Sequence, residues 1–127
     1  MTTALSTLRV LVVDDEPLIR WAIAETLGQE GHQVAEAGDA AGAIQALSAR
    51  RAPDVVLLDF RLPDSNDLTL LATVRRLVPS ASVVMMTAVG DSDMIAAAEA
   101  LGAFRVVGKP IDMRDLESIV RAAGESR

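Results

Sequence analysis

Short apolar runs alternate with longer amphipathic segments along the whole of this chain. Such alternation is typical of a parallel sheet whose strands are connected by helices packed on its faces. We expect five strands and five helices, and hence an α/β fold with a doubly wound parallel sheet. The predicted strands are Arg9 to Val13, Gln33 to Ala37, Asp54 to Leu58, Ser82 to Met86 and Arg105 to Gly108.

The predicted strands differ in how continuously apolar they are. The first, third and fourth are apolar almost without interruption, as expected where helices cover both faces of a sheet. The second carries Gln33 and Glu36 and is therefore predicted at an edge. Helix starts are also marked. Pro17 favours the first turn of helix one, and Asp39 and Asp112 are the predicted N-caps of helices two and five.

The composition is that of one globular domain. The chain has 127 residues, of which 50% are hydrophobic and 2% aromatic, and it has no cysteine. A domain of this length buries roughly two thirds of the surface that its unfolded chain exposes. We therefore expect a single domain over residues 1–127, with an ordered core over approximately 8–124. The lack of cysteine excludes disulfides and thiolate chemistry.

Charge and hydropathy narrow the classes of function. The net charge of -6 disfavours direct binding of nucleic acid, because an acidic surface repels a phosphate backbone. No apolar run approaches the ~20 residues of a membrane span, and the first residues lack the pattern of a secretion signal. We expect a cytoplasmic protein that binds neither nucleic acid nor membranes directly.

Acidic residues follow two of the apolar runs. Asp14 and Asp15 close the first strand, and Asp59 follows the third. The carboxyl ends of parallel strands lie at one edge of the sheet, which is where ligands bind in such folds. Three carboxylates there repel each other unless a cation or shared protons compensate them. Thr87 and Lys109 follow the fourth and fifth strands and are expected at the same edge.

These residue types suit phosphoryl transfer. A carboxylate can attack phosphorus, carboxylates can hold Mg²⁺, and a hydroxyl and an ammonium can contact phosphoryl oxygens. Lys109 is the only lysine beside eleven arginines, so its identity does not reflect a general use of lysine. His32, the only histidine, lies in the turn before strand two. We expect it to be a solvated loop residue rather than a metal ligand or a phosphocarrier.

Four segments, VLVVDDEP, VVLLDFRLPD, VVMMTA and GAFRVVGKP, together resemble the receiver domain of two-component response regulators. The resemblance covers essentially the whole chain. It implies a flavodoxin-like, CheY-like sheet with the strand order 2-1-3-4-5. Whether the chain is excised from a longer regulator stays open at this point.

The resemblance implies a role for each strand-end residue. Asp59 is the implied acceptor of a phosphoryl group from a phosphohistidine, and Thr87 and Lys109 are implied to contact that group. The Lys109-Pro110 bond is expected to be cis. The implied ligands of Mg²⁺, for which Mn²⁺ can substitute, are Asp14, Asp15, Asp59 and the backbone carbonyl of Arg61.

The resemblance also implies partners. They are a sensor histidine kinase or phosphotransfer protein, an output domain or protein partner, and a second copy of the chain in a phosphorylation-dependent homodimer. The segment EPLIRWAI is similar to receivers attached to sigma-54-type transcription activators. Neither a P-loop nor a helix-turn-helix follows helix five, so we expect any such output on sequence beyond this chain or on a partner.

Two residues, Val106 and Asp67, depart from the family pattern, and two roles are considered for Trp21. Val106 occupies the position of an aromatic whose rotamer usually follows phosphorylation, and the nearest aromatic, Phe104, is expected in the core. Asp67 replaces a common glycine and is expected to cap helix three rather than to alter cation affinity. Trp21 lies off the inward face of helix one. We favour its partial burial against helix five over a role as an anchor for the kinase.

Two other functions are weighed against the phosphoacceptor. A small Mg-dependent aspartyl phosphohydrolase would need a second acid on the nucleophile's loop, where Arg61 stands two residues after Asp59, and an insertion that caps the substrate. A non-phosphorylated structural receiver would show no affinity for Mg²⁺. We therefore expect a signalling domain rather than an enzyme, with at most self-directed phosphotransfer and autodephosphorylation.

Overall fold

The computed structural model describes residues 7–48, 51–88 and 90–126. Its elements in chain order are β1 (Arg9–Val13), α1 (Pro17–Gln29), β2 (Gln33–Ala37), α2 (Ala40–Leu47), β3 (Val55–Asp59), α3 (Thr69–Leu77), β4 (Ser82–Thr87), α4 (Ser92–Ala100), β5 (Ala103–Gly108) and α5 (Met113–Glu125). The strands form one parallel sheet in the order β2-β1-β3-β4-β5. The predicted fold class and strand order are therefore confirmed, with β2 at an edge.

The strand bounds lie close to the predicted ones. β1 and β2 begin and end at the predicted residues, whereas β3 begins one residue later and takes in Asp59, which pairs with Met86. β4 extends to Thr87, which pairs with Gly108 of β5. Asp59 and Thr87 are thus the last residues of their strands, and the ladder fixes their backbone positions.

The sheet carries a separate apolar core on each face. On one face, α1 and α5 cover side chains that include Val12, Leu57 and Met86. On the other face, α2, α3 and α4 cover the alternate residues of the same strands, among them Leu58 and Met85. Burial on both faces explains why these strands are continuously apolar rather than alternating.

Aspartates begin three of the helices, and two of these N-caps, Asp39 and Asp112, are the predicted ones. Asp39, Asp91 and Asp112 are the N-caps of α2, α4 and α5, and each side chain accepts a hydrogen bond from a backbone N–H of the first turn. Asp67 accepts a hydrogen bond of 2.9 Å from the N–H of Thr69, the first residue of α3. The interpretation of Asp67 as a capping residue is therefore supported.

The expectation that His32 is a solvated loop residue is wrong. His32 is only 6% exposed. Its Nδ1 accepts a hydrogen bond of 3.1 Å from the N–H of Leu8, and its Nε2 lies 2.8 Å from Glu117 Oε1 of α5. The turn at Gly31, with a φ of 92°, brings the ring under the start of β1. Sequence position alone did not reveal this contact with a helix 85 residues away.

The expected burial of Trp21 is also wrong, because its side chain is 58% exposed. Ile23 and Leu27 are the buried residues of α1. Trp21 and Leu18 instead point to solvent, with Leu18 79% exposed.

Among the helices in the described part of the chain, none is long and apolar enough to cross a membrane.

Candidate phosphoacceptor site

Three aspartates meet at the carboxyl ends of β1 and β3. Asp14, Asp15 and Asp59 each offer a carboxylate oxygen, and these oxygens all lie within 4.8 Å of one another. Asp14 is fully buried, Asp59 is 6% exposed, and Asp15 faces solvent. The predicted cluster of carboxylates is therefore present, with an open side at Asp15.

Lys109 connects the cluster from the end of β5. Its Nζ donates hydrogen bonds to Asp14 Oδ2 over 3.0 Å, to Asp59 Oδ2 over 3.2 Å and to Glu16 Oε1 over 3.3 Å. The side chain of Lys109 is 11% exposed, so the ammonium is held between the acids rather than in solvent. The ammonium of Lys109 contacts three carboxylates, so its single charge does not balance theirs.

The environment shifts the titration of two of these groups. Burial raises the pKa of Asp59 above its ordinary value, the charge of Asp14 adds to the rise, and Lys109 opposes it. For Lys109, burial works against the ammonium, but the hydrogen bond to Asp14 and the charges of Asp59 and Asp14 raise its pKa. The cluster therefore stabilises the charged form of Lys109 and disfavours the ionised form of Asp59.

A cavity of about 260 Å³ opens onto this cluster. The residues that line it are Asp15, Glu16, Asp59, Arg61, Thr87, Ala88 and Lys109. Thr87 is buried, and its carbonyl accepts a hydrogen bond of 2.8 Å from the N–H of Lys109. The backbone N–H of Arg61 donates to Asp59 Oδ1 over 3.3 Å. The structure thus brings together the candidate residues from four strand ends, with Asp14 buried beside the cavity.

The donor set fits a hard divalent cation. Each of the three clustered aspartates offers oxygen, which is the ligand type that Mg²⁺ prefers, and Mg²⁺ needs only one or two protein carboxylates. The exposed side at Asp15 leaves positions for water and a phosphoryl oxygen. The residues present therefore fit the metal that the sequence predicts.

Two neighbours of the cluster were not singled out from the sequence. Glu16 is a further acceptor for Lys109, and Arg20 of α1 donates to the backbone carbonyl of Asp14 over 2.7 Å. Glu16 directly follows the two aspartates, so a longer acidic run was a visible signal. Nothing in the sequence indicated that Arg20 reaches back to Asp14.

The sequence analysis made expectations for β5 and for the peptide bond that follows it. The Lys109-Pro110 bond is cis, as expected. Phe104 is partly buried against the core of α1 and α5, and Val106 is partly buried against the core on the opposite face. The position of the usual aromatic is therefore held by a smaller aliphatic side chain that packs inward.

Comparison with known proteins identifies the family of this chain. Residues 10–121 match the model of the response regulator receiver domain. This chain belongs to that family and is a receiver domain of two-component response regulators.

Individual relatives agree with this assignment. The chain is 32% identical over 113 residues to Sporulation initiation phosphotransferase F of Bacillus subtilis, covering 89% of this chain and 90% of that protein. It is 35% identical over 114 residues to the DNA-binding transcriptional regulator NtrC of Escherichia coli, covering 90% of this chain but 24% of NtrC. The crystal structure of the receiver domain of NtrX from Brucella abortus superimposes with a TM-score of 0.83 at 35% identity, covering 93% and 99% of the two chains.

Proposed function

We propose that this receiver takes up a phosphoryl group on Asp59 in a reaction that depends on Mg²⁺. The observation that supports this most directly is the position of the Asp59 carboxylate. It is nearly buried, lies within 4.8 Å of the oxygens of Asp14 and Asp15, and contacts Lys109 Nζ at 3.2 Å. A divalent cation would compensate the negative charge that Lys109 alone leaves in this cluster.

In the proposed reaction a carboxylate oxygen of Asp59 attacks the phosphorus of a phosphohistidine on the donor protein. The new O–P bond forms as the N–P bond breaks, and the electron pair returns to the imidazole, which takes up a proton. Bound Mg²⁺ would neutralise charge on the transferring group. Lys109 and Thr87 line the cavity from β5 and β4 and would contact two phosphoryl oxygens.

The residues proposed to hold the metal are Asp14, Asp15, Asp59 and the backbone carbonyl of Arg61. Mn²⁺ is expected to substitute, because it accepts the same oxygen ligands. Arg61 also lines the cavity. An arginine two residues after Asp59, where a phosphohydrolase would need an acid, favours the phosphoacceptor over that enzyme. Loss of the phosphoryl group by autodephosphorylation is proposed as the only further reaction.

Labelling with acetyl phosphate tests the assignment. We expect wild-type protein with Mg²⁺ to gain one phosphoryl group that is labile in alkali, and Asp59→Asn to gain none, because an amide cannot form the acyl phosphate. Removal of Mg²⁺ with a chelator should prevent labelling. Mass spectrometry of the intact protein measures both results.

Asp67→Asn is the matched control for this experiment, because it makes the same chemical change on an exposed aspartate that only caps α3. It should be labelled like the wild type. Labelling that persists in Asp59→Asn would contradict the assignment, and a wild type that is neither labelled nor binds Mg²⁺ would support the non-phosphorylated receiver instead.

We infer that α1 and the loop before α5 bind the phosphodonor, a sensor histidine kinase or phosphotransfer protein. Leu18 and Trp21 are the exposed apolar residues of α1. A cavity of about 280 Å³ between α1 and this loop is lined mainly by apolar residues, including Ile19, Pro110 and Ile111. Its rim carries Glu16 and Lys109, so the surface is continuous with the site of Asp59.

We propose that residues 1–127 form a single receiver domain, with an ordered core over about 8–124. The family also suggests a further partner: the phosphorylated form is proposed to change a contact with an output domain or a protein partner. A phosphorylation-dependent homodimer is one form of that contact, which sedimentation of the phosphorylated protein would detect. The expected cytoplasmic location stays a prediction that cell fractionation tests.

A further inference from the structure

Arg20 of α1 bridges two strand ends beside the acidic cluster. Its Nη1 donates to the backbone carbonyl of Asp14 over 2.7 Å, and its Nε donates to Glu36 Oε1 of β2 over 3.0 Å. The side chain is 22% exposed, against 42% for Glu36. A guanidinium can donate in two fixed directions at once, which an ammonium on a flexible stem does not do.

The carbonyl of Asp14 belongs to the peptide unit that leads into Asp15. Because a peptide unit is planar, the direction of this carbonyl sets the direction in which the chain continues to Asp15. The N–H of Asp14 donates to the carbonyl of Ala37 over 3.1 Å, and Asp14 Oδ1 accepts from the N–H of Glu16 over 2.9 Å. Arg20 supplies a partner for the other backbone group of Asp14.

The guanidinium of Arg20 is also confined from a second side. A Cβ atom added at Gly38, in the loop between β2 and α2, would lie 3.1 Å from Arg20 Nη1. The bare backbone at Gly38 therefore permits a close approach that most side chains would crowd. Helix α1, the edge strand and this loop together hold the donor group against the turn that carries Asp14 and Asp15.

We propose that Arg20 is a positioning residue of the cation site, which orients the carboxylates of Asp14 and Asp15 by holding the peptide unit between them. This inference rests on the proposed binding of Mg²⁺. Charge alone predicts the opposite effect, because a cation beside carboxylates repels Mg²⁺ and its removal should strengthen binding. The sign of the change in affinity therefore separates positioning from simple electrostatics.

The test compares metal affinity in matched variants of the whole chain. Calorimetry gives the affinity for Mg²⁺ and electron paramagnetic resonance that for Mn²⁺. We expect Arg20→Gln and Arg20→Lys each to weaken binding on the order of tenfold, as is usual when a group that orients a metal ligand is lost. Arg20→Lys keeps the positive charge but cannot donate hydrogen bonds in the two fixed directions of a guanidinium. Weaker binding of the cation by this variant would therefore not be an effect of charge.

Arg76→Gln is the control for net charge. Arg76 is exposed in the last turn of α3, at the end of the helix away from the acidic cluster. Its substitution removes the same charge as Arg20→Gln and should leave the affinity within about twofold of wild type, because solvent and salt screen the distant charge. A second measurement needs no metal: amide exchange at Asp15 and Glu16 should be faster in Arg20→Gln than in wild type.

The outcomes separate this inference from the proposed function. If wild type binds Mg²⁺ and the Arg20 variants bind it equally or more tightly, the inference is overturned and the proposed function stands. A lower unfolding midpoint with unchanged affinity also overturns it, because Arg20 would then only connect the helix to the sheet. A wild type that binds neither cation contradicts both proposals.

Discussion

At the scale of single residues, the charge on Asp59 is unfavourable in the metal-free protein. Its carboxylate is nearly buried beside Asp14, and burial is the main cause of its raised pKa. Asp67, on the loop that follows β3, shows the opposite behaviour. Its hydrogen bond from the N–H of Thr69 lowers the pKa of its exposed carboxyl. As the pH rises, ionisation of Asp59 therefore lowers the free energy of unfolding, whereas ionisation of Asp67 raises it.

The raised pKa of Asp59 predicts how its removal affects stability. An acid whose folded pKa lies above the unfolded value makes the folded state bind more protons, so its ionisation costs stability as the pH rises through that pKa. We expect Asp59→Asn to be more stable than wild type at about pH 7 without Mg²⁺. The difference should shrink as the pH falls through the pKa of Asp59. Urea unfolding at a series of pH values measures it.

Asp67→Asn is expected to behave in the reverse way. Its carboxylate stabilises the folded state above its unfolded pKa, and this contribution is lost as the pH falls through the lower, folded value. The variant should be slightly less stable than wild type at about pH 7 and approach it in acid. If the stability difference for Asp59→Asn did not vary with pH, ionisation of Asp59 could not be its cause.

At the scale of secondary structure elements, a buried histidine connects the start of β1, the turn before β2 and helix α5. His32 accepts from the N–H of Leu8 and pairs with Glu117, which in turn accepts a hydrogen bond of 2.6 Å from Arg121. Because Nδ1 accepts, Nε2 carries the proton in the neutral ring and donates to Glu117. These contacts link α5 to elements far away in sequence.

We expect His32→Ala to lower the free energy of unfolding by about 2–3 kcal/mol, because the buried N–H of Leu8 would lose its acceptor. In His32→Asn a side-chain oxygen can replace Nδ1 as the acceptor, so the loss should be smaller. Urea unfolding at neutral pH measures both. Equal losses in the two variants would show that the hydrogen bond to Leu8 is not the main contribution.

At the scale of the whole molecule, the cavity at Asp59 adjoins an apolar cavity between α1 and the loop before α5. Glu16 and Lys109 border both the cavity at Asp59 and the apolar cavity between α1 and the loop before α5. Trp21 is exposed on the same helix. A protein donor that contacts α1 and the apolar cavity would bring its phosphohistidine to Asp59. A small donor such as acetyl phosphate needs only the cavity at Asp59.

Trp21→Ala should therefore separate the two donors. We expect phosphoryl transfer from a cognate kinase to fall about thirtyfold, because an aromatic anchor of an interface contributes about 2 kcal/mol and each 1.4 kcal/mol is roughly a factor of ten. Labelling by acetyl phosphate should not change. Leu101→Ala, an exposed apolar residue at the end of α4, is the control and should leave both rates unchanged. Equal losses with both donors would mean that Trp21 affects the site itself.

Much of the site could be predicted because its residues end strands. A strand that is apolar on both faces must be central, and an acid or hydroxyl at its carboxyl end must lie at the ligand-binding edge. Asp14, Asp59 and Thr87 could be located in this way without coordinates, and Lys109 could be located because it follows the fifth predicted strand. It failed for His32, whose partners come from the start of β1 and from α5, because local sequence contains no sign of such distant contacts.

The sequence by itself determined the order of elements, the central strands, the helix caps and the set of acids at one edge. Hydrophobic period and capping chemistry are local, so they can be recognised along the chain. Only the tertiary structure decided which acids Lys109 contacts, that Arg20 holds the turn after β1, and that Trp21 remains exposed. Each depends on how helices pack across the sheet, where one shift of a helix changes the partners of every side chain on its face.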